Sequence, residues 1–240
     1  MIPLAVIADA HVLPKDPGSW AFVGDLIKEL PRPCRVLSLG DFFDFWHRGT
    51  EGHRDDYGPL FELISLSGLE WHFIRGNRDF MLTAEDARGL GATLHDEPLR
   101  WNLGNSLCTF IHGDLLLTAD TSYLAFRRLI RLPLVTVLSR TLPRIFVDAV
   151  VGLIRGKLDH GKALKPYDTF QVDLQESARQ KGHADLLMCG HTHKPLETEL
   201  PGGGTLRVLP AFGAAGGYML WESAQGWVAK TVNGNAVKHP

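Results

Sequence analysis

The sequence predicts an α/β fold: an α+β sandwich of two packed mixed β-sheets flanked by helices, with a helical cap inserted at about residues 122–166. Three observations lead there. The first half alternates strand and helix patterns, the unit that builds parallel sheets. The second half returns to short β segments separated by turn residues. Five short polar signatures each follow an apolar run, as they do when a site is assembled from loops at one edge of a sheet. At 240 residues and 45% apolar content, the chain fits a single domain, 1–240, with a sizeable core.

Leu4–Ala8 reads as the first strand. A helix around Ser19–Leu30 follows, closed by Pro31 and Pro33. Arg35–Leu39 is the second strand, and a helix around Pro59–Ser67 takes Gly68 as its C-cap. Glu70–Arg75 is the third strand, and Ala84–Gly89 a short helix. Leu99–Asn102 and Leu107–Ile111 flank the turn Gly104-Asn105 and form a hairpin. From Ser122 to about Gly156 the pattern is helical, and Pro133 and Pro143 divide it into two or three short helices. Asp168–Gln180 is a further helix, leading to strand Ala184–Cys189. Short strands surround the turn Pro201-Gly202-Gly203-Gly204, and Gly217–Glu222 and Trp227–Val232 close the fold.

The net charge of −2 argues against a nucleic-acid partner. That average conceals a split. Residues 122–165 hold nine Lys and Arg against Asp148 and Asp159, so this segment is +7 and the remainder −9. Cys34, Cys108 and Cys189 sit in or beside strands and read as buried reduced thiols, which suits a cytoplasmic protein. No signal peptide is expected, because an apolar leader would have to include Asp9 and His11. Arg140, Arg144 and Asp148 interrupt the apolar stretch Leu132–Ile154, so no transmembrane helix is expected.

The signatures are Asp9-Ala10-His11, Gly40-Asp41-Phe42-Phe43-Asp44, Gly76-Asn77-Arg78-Asp79, His112-Gly113-Asp114 and Gly190-His191-Thr192-His193. Asp, Asn and His are poor strand-interior residues, so five coincidences call for one cause. Alternate residues on an extended chain point the same way, so Asp9 with His11, and His191 with His193, can each grip one ion. An Asp can bridge two ions, and a neutral Asn supplies oxygen without charge. This mixture suits Mn²⁺, Fe or Zn²⁺ better than Ca²⁺. Two such ions about 3.5–4 Å apart can activate water and neutralise phosphoryl oxygens in an in-line displacement. His47, His53, His72, His95, His160, His183 and His239 belong to no signature and read as surface or ordinary polar residues.

The ordered set resembles the calcineurin-like metallophosphoesterases, over about 190 residues from Asp9 to beyond His193. The resemblance implies a β-sandwich flanked by helices and two divalent metal ions. One would be held by Asp9, His11, Asp41 and His193. The other would be held by Asp41, Asn77, His112 and His191, with Asp41 bridging. Asp41, Asn77, Arg78 and His112 would be the catalytic residues.

Most of that family has His where this chain has Arg78. Arginine cannot act as an acid near neutral pH, since its pKa exceeds about 12. It can clamp phosphate oxygens, or it can pair with Asp79. A leaving group that needs no proton is compatible with the change. Cleavage of a diphosphate expels a phosphate monoester whose second pKa is about 6. Gly76-Asn77-Arg78-Asp79-Phe80, Leu39–Trp46 and His112–Asp120 followed by Tyr123 and Phe126-Arg127 are similar to one branch: the UDP-2,3-diacylglucosamine diphosphatases of lipid A synthesis. That resemblance implies Mn²⁺ dependence, a lipid-linked nucleotide substrate, and a peripheral place on the cytoplasmic face of the inner membrane. Asp120, Tyr123, Phe126, Arg127, Lys162 and Lys165 would join Arg78 in substrate binding. Leu117-Thr118 stands where the branch often has Cys-Thr, and Asp159–Asp168 matches it poorly. Those departures leave open another nucleotide diphosphate or phosphodiester as substrate. Independently, apolar runs in a basic insertion suit acyl chains and anionic headgroups. The alternative is a cap whose apolar face packs on the core.

Overall fold

A computed structural model describes residues 1–47, 49–142, 146–153 and 171–232. One sheet runs β11-β10-β1-β2-β3-β4 and the other β5-β6-β7-β9-β8. In the first, β1 (Leu4–Ile7), β2 (Arg35–Ser38), β3 (Glu70–Ile74) and β4 (Ala92–His95) are parallel. Strand β10 (Gly217–Glu222) returns antiparallel beside β1, and β11 (Gly226–Thr231) pairs with it. In the second, β5 (Leu99–Leu103) and β6 (Ser106–Phe110) form the hairpin. β7 (Leu186–Cys189) is parallel to both β6 and β9 (Thr205–Val208), and β8 (Leu196–Glu199) is antiparallel to β9.

Period-two alternation divides each strand between two cores. Leu4 and Val6 of β1 enter the cluster between the sheets, with Leu37, Ile74, Cys108, Phe110 and Met188. Ala5 and Ile7 face the opposite way, into a cluster with α1 (Pro17–Glu29) and α3 (Arg54–Ser65). Leu187 and Cys189 of β7 turn outward toward Ala178 of α8 (Leu174–Lys181). Helices therefore cover both outer faces, as expected. Asp16 and Asp173 cap α1 and α8 by accepting from their first-turn N–H groups.

Four local readings change, the first being that the helix expected over Asp168–Gln180 begins at Leu174, after its N-cap Asp173. Helix α3 begins at Arg54, not near Pro59, and carries Pro59 inside it. Burial of Tyr57, Leu60, Phe61 and Ile64 along one face outweighs the proline's cost of about 3 kcal/mol. Strand β4 was not expected, because Leu94 is the one large apolar residue of Ala92–His95; its backbone pairs with β3. Short helices α2 (Gly49–Gly52) and α9 (Phe212–Ala215) were likewise not expected. Helix α4 (Ala84–Gly89) matches, with a capping box between Thr83 and Asp86.

The insertion begins with α5 (Thr121–Ile130) and α6 (Pro133–Thr141), followed by α7 (146–153). Ile130, Val147 and Val151 are buried in the helix-side core. Leu129, Leu132, Leu134, Val137, Leu138, Leu142, Phe146, Val150 and Leu153 remain exposed. Packing on the core thus accounts for one face only. Among the described residues no helix is long and apolar enough to cross a membrane. Cys34, Cys108 and Cys189 are buried and free.

Candidate metal centre

All five signatures meet at the ends of β1, β2, β3, β6 and β7. Their seven candidate ligand side chains fall in two neighbouring groups, with Asp41 beside both and Asp9 reaching into both. In the first, His11 Nε2 lies 3.2 Å from His193 Nε2 and 4.0 Å from Asp41 Oδ2, and His193 Nε2 is 3.6 Å from Asp9 Oδ1. In the second, His112 Nε2 lies 3.0 Å from Asn77 Oδ1, 3.1 Å from His191 Nδ1 and 3.9 Å from Asp41 Oδ1. Donor atoms of Asp9, His11 and His193 fall within 4.8 Å of one another, as do those of Asp9, Asp41 and His112.

The loops reach this arrangement through unusual backbone. Asp9, His11, Asp41, His191 and His193 all have positive φ, between 47° and 70°. Such residues cost about 1–3 kcal/mol each and persist where the surroundings over-determine them. Carboxylates supply part of that determination. Asp9 Oδ2 accepts from the His191 N–H at 2.8 Å, joining the first and last signatures. Asp41 Oδ1 accepts from the Arg78 N–H at 2.7 Å. Asp79 accepts from the N–H groups of Gly76, Asp41 and Phe42, so it staples the second signature to the third. A Cβ on Gly76 would collide with Asp41, which explains the glycine before Asn77.

Electrostatics suit cations. His112 donates Nδ1–H to the Leu39 carbonyl at 2.8 Å, which aims Nε2 at the second group. Burial lowers its pKa, but Asp41, Asp114, Asp9 and Glu97 outweigh burial and hold it near 9. Burial raises Asp9, yet His193, His112 and His11 bring its carboxyl down to about 2. Buried Asp9 Oδ1 makes no hydrogen bond. An acceptor left unbonded beside inward-facing imidazole nitrogens fits a ligand set for divalent cations.

Arg78 is buried against this centre, and among the described residues its guanidinium meets Asp44, with Nη1 3.3 Å from Oδ1, rather than Asp79. The remaining expected site residues divide. The Tyr123 ring stands 6.1 Å from that of His191, and its hydroxyl donates to Asp114 Oδ2 at 2.7 Å. Asp120 caps α5, accepting from the Tyr123 N–H and the Ser122 hydroxyl. Phe126 packs partly buried against the helix-side core. Arg127 is drawn behind the ligands, onto Asp114 and Glu97. Lys162 and Lys165 lie outside the described residues.

Two histidines read as surface or ordinary polar groups are instead buried. His47 pairs with Asp148 of α7 at 2.9 Å, and His53 with Asp56 at 3.3 Å. Glu97 carries no sequence expectation and Arg131 only a share in the basic charge of the insertion, although Glu97 accepts from the His112 backbone and Arg131 donates to the Gly76 carbonyl. The spacing of Arg127 and Arg131 on one helix face was the available signal.

Two mixed sheets with a clustered Asp/Asn/His set at their strand ends have the architecture of a metal-binding α/β protein with its site at a sheet edge. Residues 2–195 match the family described as Calcineurin-like phosphoesterase. The UDP-2,3-diacylglucosamine hydrolase of Edwardsiella ictaluri is 33% identical over 196 residues, covering 79% of this chain and 75% of that protein. The enzyme of the same name from Ectopseudomonas mendocina is 31% identical over 204 residues, covering 82% and 84%. Among solved structures, Yfce, a phosphoesterase from E. coli, is 15% identical with a TM-score of 0.49, covering 99% of this chain and 97% of that one. The chain belongs to the calcineurin-like phosphoesterase family.

Proposed function

We propose that this protein is a diphosphatase that hydrolyses UDP-2,3-diacylglucosamine to UMP and 2,3-diacylglucosamine 1-phosphate in lipid A biosynthesis. The observation that carries this reading is Asp41 lying 4.0 Å from His11 and 3.9 Å from His112, beside an arginine buried where most of the family has a proton donor. Relatives of that name at 31–33% identity support it.

Asp9, His11, Asp41 and His193 would hold one divalent ion, and Asp41, Asn77, His112 and His191 the other, with Mn²⁺ as the preferred metal. When bound, the pair of ions lowers the pKa of water and offsets charge on phosphoryl oxygens. Arg78 contributes fixed positive charge and a planar set of donors to the diphosphate. Water attacks the α-phosphorus, and the bond to the bridging oxygen breaks. The departing sugar phosphate carries the electron pair as an ordinary phosphate oxygen, so no acid at position 78 is needed.

In this reading the insertion at 122–166 is a cap. Tyr123 would stand at its mouth on the helix that Asp120 caps, with Lys162 and Lys165 completing the substrate contacts, while Phe126 and Arg127 support it from the core side. Its exposed apolar residues would take acyl chains and rest on the cytoplasmic face of the inner membrane. Burying ten methylenes contributes up to about 8 kcal/mol at roughly 0.8 kcal/mol each, less the cost of ordering the chains. The test compares kcat/KM for UDP-2,3-diacylglucosamine and UDP-N-acetylglucosamine under matched detergent. The acylated substrate should be strongly preferred. Equal values would reject the lipid substrate in favour of a soluble nucleotide diphosphate or phosphodiester.

A further inference from the structure

Asn77 and His112 belong to one ligand group but come from different sheets. Asn77 follows β3 of the first and His112 follows β6 of the second. Their side chains meet at 3.0 Å, so their separation depends on how the two sheets are held at this edge. Behind them lies a chain of polar contacts that no signature contains. Arg131, the residue that ends α5, donates Nη2–H to the Gly76 carbonyl at 2.9 Å, one residue before Asn77. Its Nη1 lies 3.9 Å from Glu97 Oε2. The other oxygen of Glu97 accepts the backbone N–H of His112. Arg127, one turn earlier on α5, donates to Asp114 and stands 3.4 Å from the same Glu97 oxygen.

We infer that Arg131 is a positioning residue: with Glu97 it forms a strut that fixes the spacing of Asn77 and His112, and so the affinity of the metal position they share. The inference rests on the metal reading proposed above. The strut grips main-chain atoms at the two ligands, so it sets where each loop sits without touching the ligand side chains. Two arginines face two carboxylates, Glu97 and Asp114, so the set is charge-balanced and each partner is needed to keep the others satisfied. Guanidinium suits the task because its fork reaches a carbonyl and a carboxylate from one rigid plane, whereas an ammonium has to choose. The strut also borders a surface cavity of about 360 Å³ lined by Arg75, Glu97, Arg127 and Arg131, so truncating Arg131 leaves space that water can fill.

The experiment titrates chelator-treated protein with Mn²⁺, following the free ion by electron paramagnetic resonance. It uses wild type, Arg131→Leu, Arg131→Lys, Glu97→Gln and the Arg131→Leu/Glu97→Gln double variant. Outer residues that orient metal ligands are typically worth about 10–100-fold in affinity. One of the two Mn²⁺ sites should weaken by about that factor in Arg131→Leu and Glu97→Gln, while the other holds. Arg131→Lys should recover part of the loss, and the double variant should be no worse than the poorer single one. Circular dichroism melts of the metal-free proteins run alongside, and Arg131→Lys and Glu97→Gln decide the question if Arg131→Leu does not fold. An unchanged two-site isotherm overturns the proposal. So does equal weakening of both sites with a matching loss of metal-free stability, which is what a packing role gives. A wild type that binds two Mn²⁺ but leaves UDP-2,3-diacylglucosamine intact sinks the substrate assignment while the strut stands on its isotherm. One that binds no Mn²⁺ overturns both.

Discussion

The guanidinium of Arg78 lies 3.3 Å from Asp44, and both side chains are buried. The second aspartate of the Gly-Asp-x-x-Asp signature thus orients the arginine of the next one. Removing one partner of a buried ion pair typically costs about 3–5 kcal/mol. Arg78→Ala should therefore lower both the melting temperature and turnover of the acylated substrate. Asp44→Asn should keep Arg78 present but weaken this ion pair, raising KM more than it lowers kcat. Arg78→His should not restore diphosphate hydrolysis, although it introduces the proton donor common in the family. Steady-state kinetics in the three variants check this, and unchanged kinetics in Arg78→Ala would make the residue purely structural.

Asp41 faces both ligand groups, with Oδ2 toward His11 and Oδ1 toward His112. Its Oδ1 also accepts the Arg78 N–H, so it shapes the third signature as well. Asp41→Ala should reduce bound Mn²⁺ from two ions toward one and abolish turnover. Far-ultraviolet circular dichroism of the variant should match wild type, because the strands beneath are held by their own cores. Metal analysis after dialysis, paired with activity, is the measurement. Near-normal activity in the presence of Mn²⁺ would exclude a shared bridging role.

The clustering of the candidate ligands was legible because each is an Asp, Asn or His within a few residues of the end of an apolar run. That makes a strand end and a chemical group coincide in the chain itself. The left-handed backbone at Asp9, His11, Asp41, His191 and His193 was not, because it is imposed by contacts between loops far apart in sequence. Helix α3 was misplaced at its start because a local proline rule competes with burial of Tyr57 and its neighbours, which only the assembled core reveals. Glu97 was illegible, and Arg131 was signalled only by its spacing from Arg127, for a similar reason. Each acts on the main chain of a loop 15 or 55 residues away, and main-chain acceptors and donors have no sequence signature. The partition of the insertion into a face packed on the core and an exposed apolar face also needed coordinates. Its composition is apolar on nearly every side, so periodicity alone could not divide Val147 and Val151 from Phe146, Val150 and Leu153.

His72 and His95 sit on neighbouring strands, Nδ1 of the first 3.0 Å from Nε2 of the second, beside Trp101 of the other sheet. Burial, then the charges of His95 and Arg35, lowers the pKa of His72 from 6.5 to about 4. His95 is also lowered, mainly by burial. The folded state thus keeps His72 neutral where the unfolded chain would bind a proton. Stability is complete above pH 6.5 and falls as the pH drops from 6.5 toward 4. His72→Phe should flatten that part of the profile. Urea-unfolding midpoints of metal-free wild type and variant, compared at about pH 7 and about pH 5, give the test. An identical drop in both proteins would assign the acid sensitivity elsewhere.

Helix α7 turns Val147 and Val151 into the core and leaves Phe146 and Leu153 exposed at 63% and 70%. On α6, Leu134 is exposed at 63% with Val137 and Leu138 beside it. An exposed apolar surface of this extent, in a segment with excess positive charge, suits the boundary of an anionic bilayer. Each large apolar side chain transferred from water contributes about 1.5–3 kcal/mol when fully buried, and less at an interface. Replacing two of them with glutamate removes that gain and adds repulsion from anionic lipid. Phe146→Glu/Leu153→Glu should therefore bind phosphatidylglycerol-containing vesicles at least about tenfold more weakly, the equivalent of roughly 1.4 kcal/mol. Neither residue lies in a buried cluster, so the melting temperature should hold. Sedimentation with vesicles of increasing anionic content measures the partition, and added salt separates the charge contribution from the apolar one. Equal partition of wild type and double variant, at every lipid composition, would show that this face does not meet the membrane.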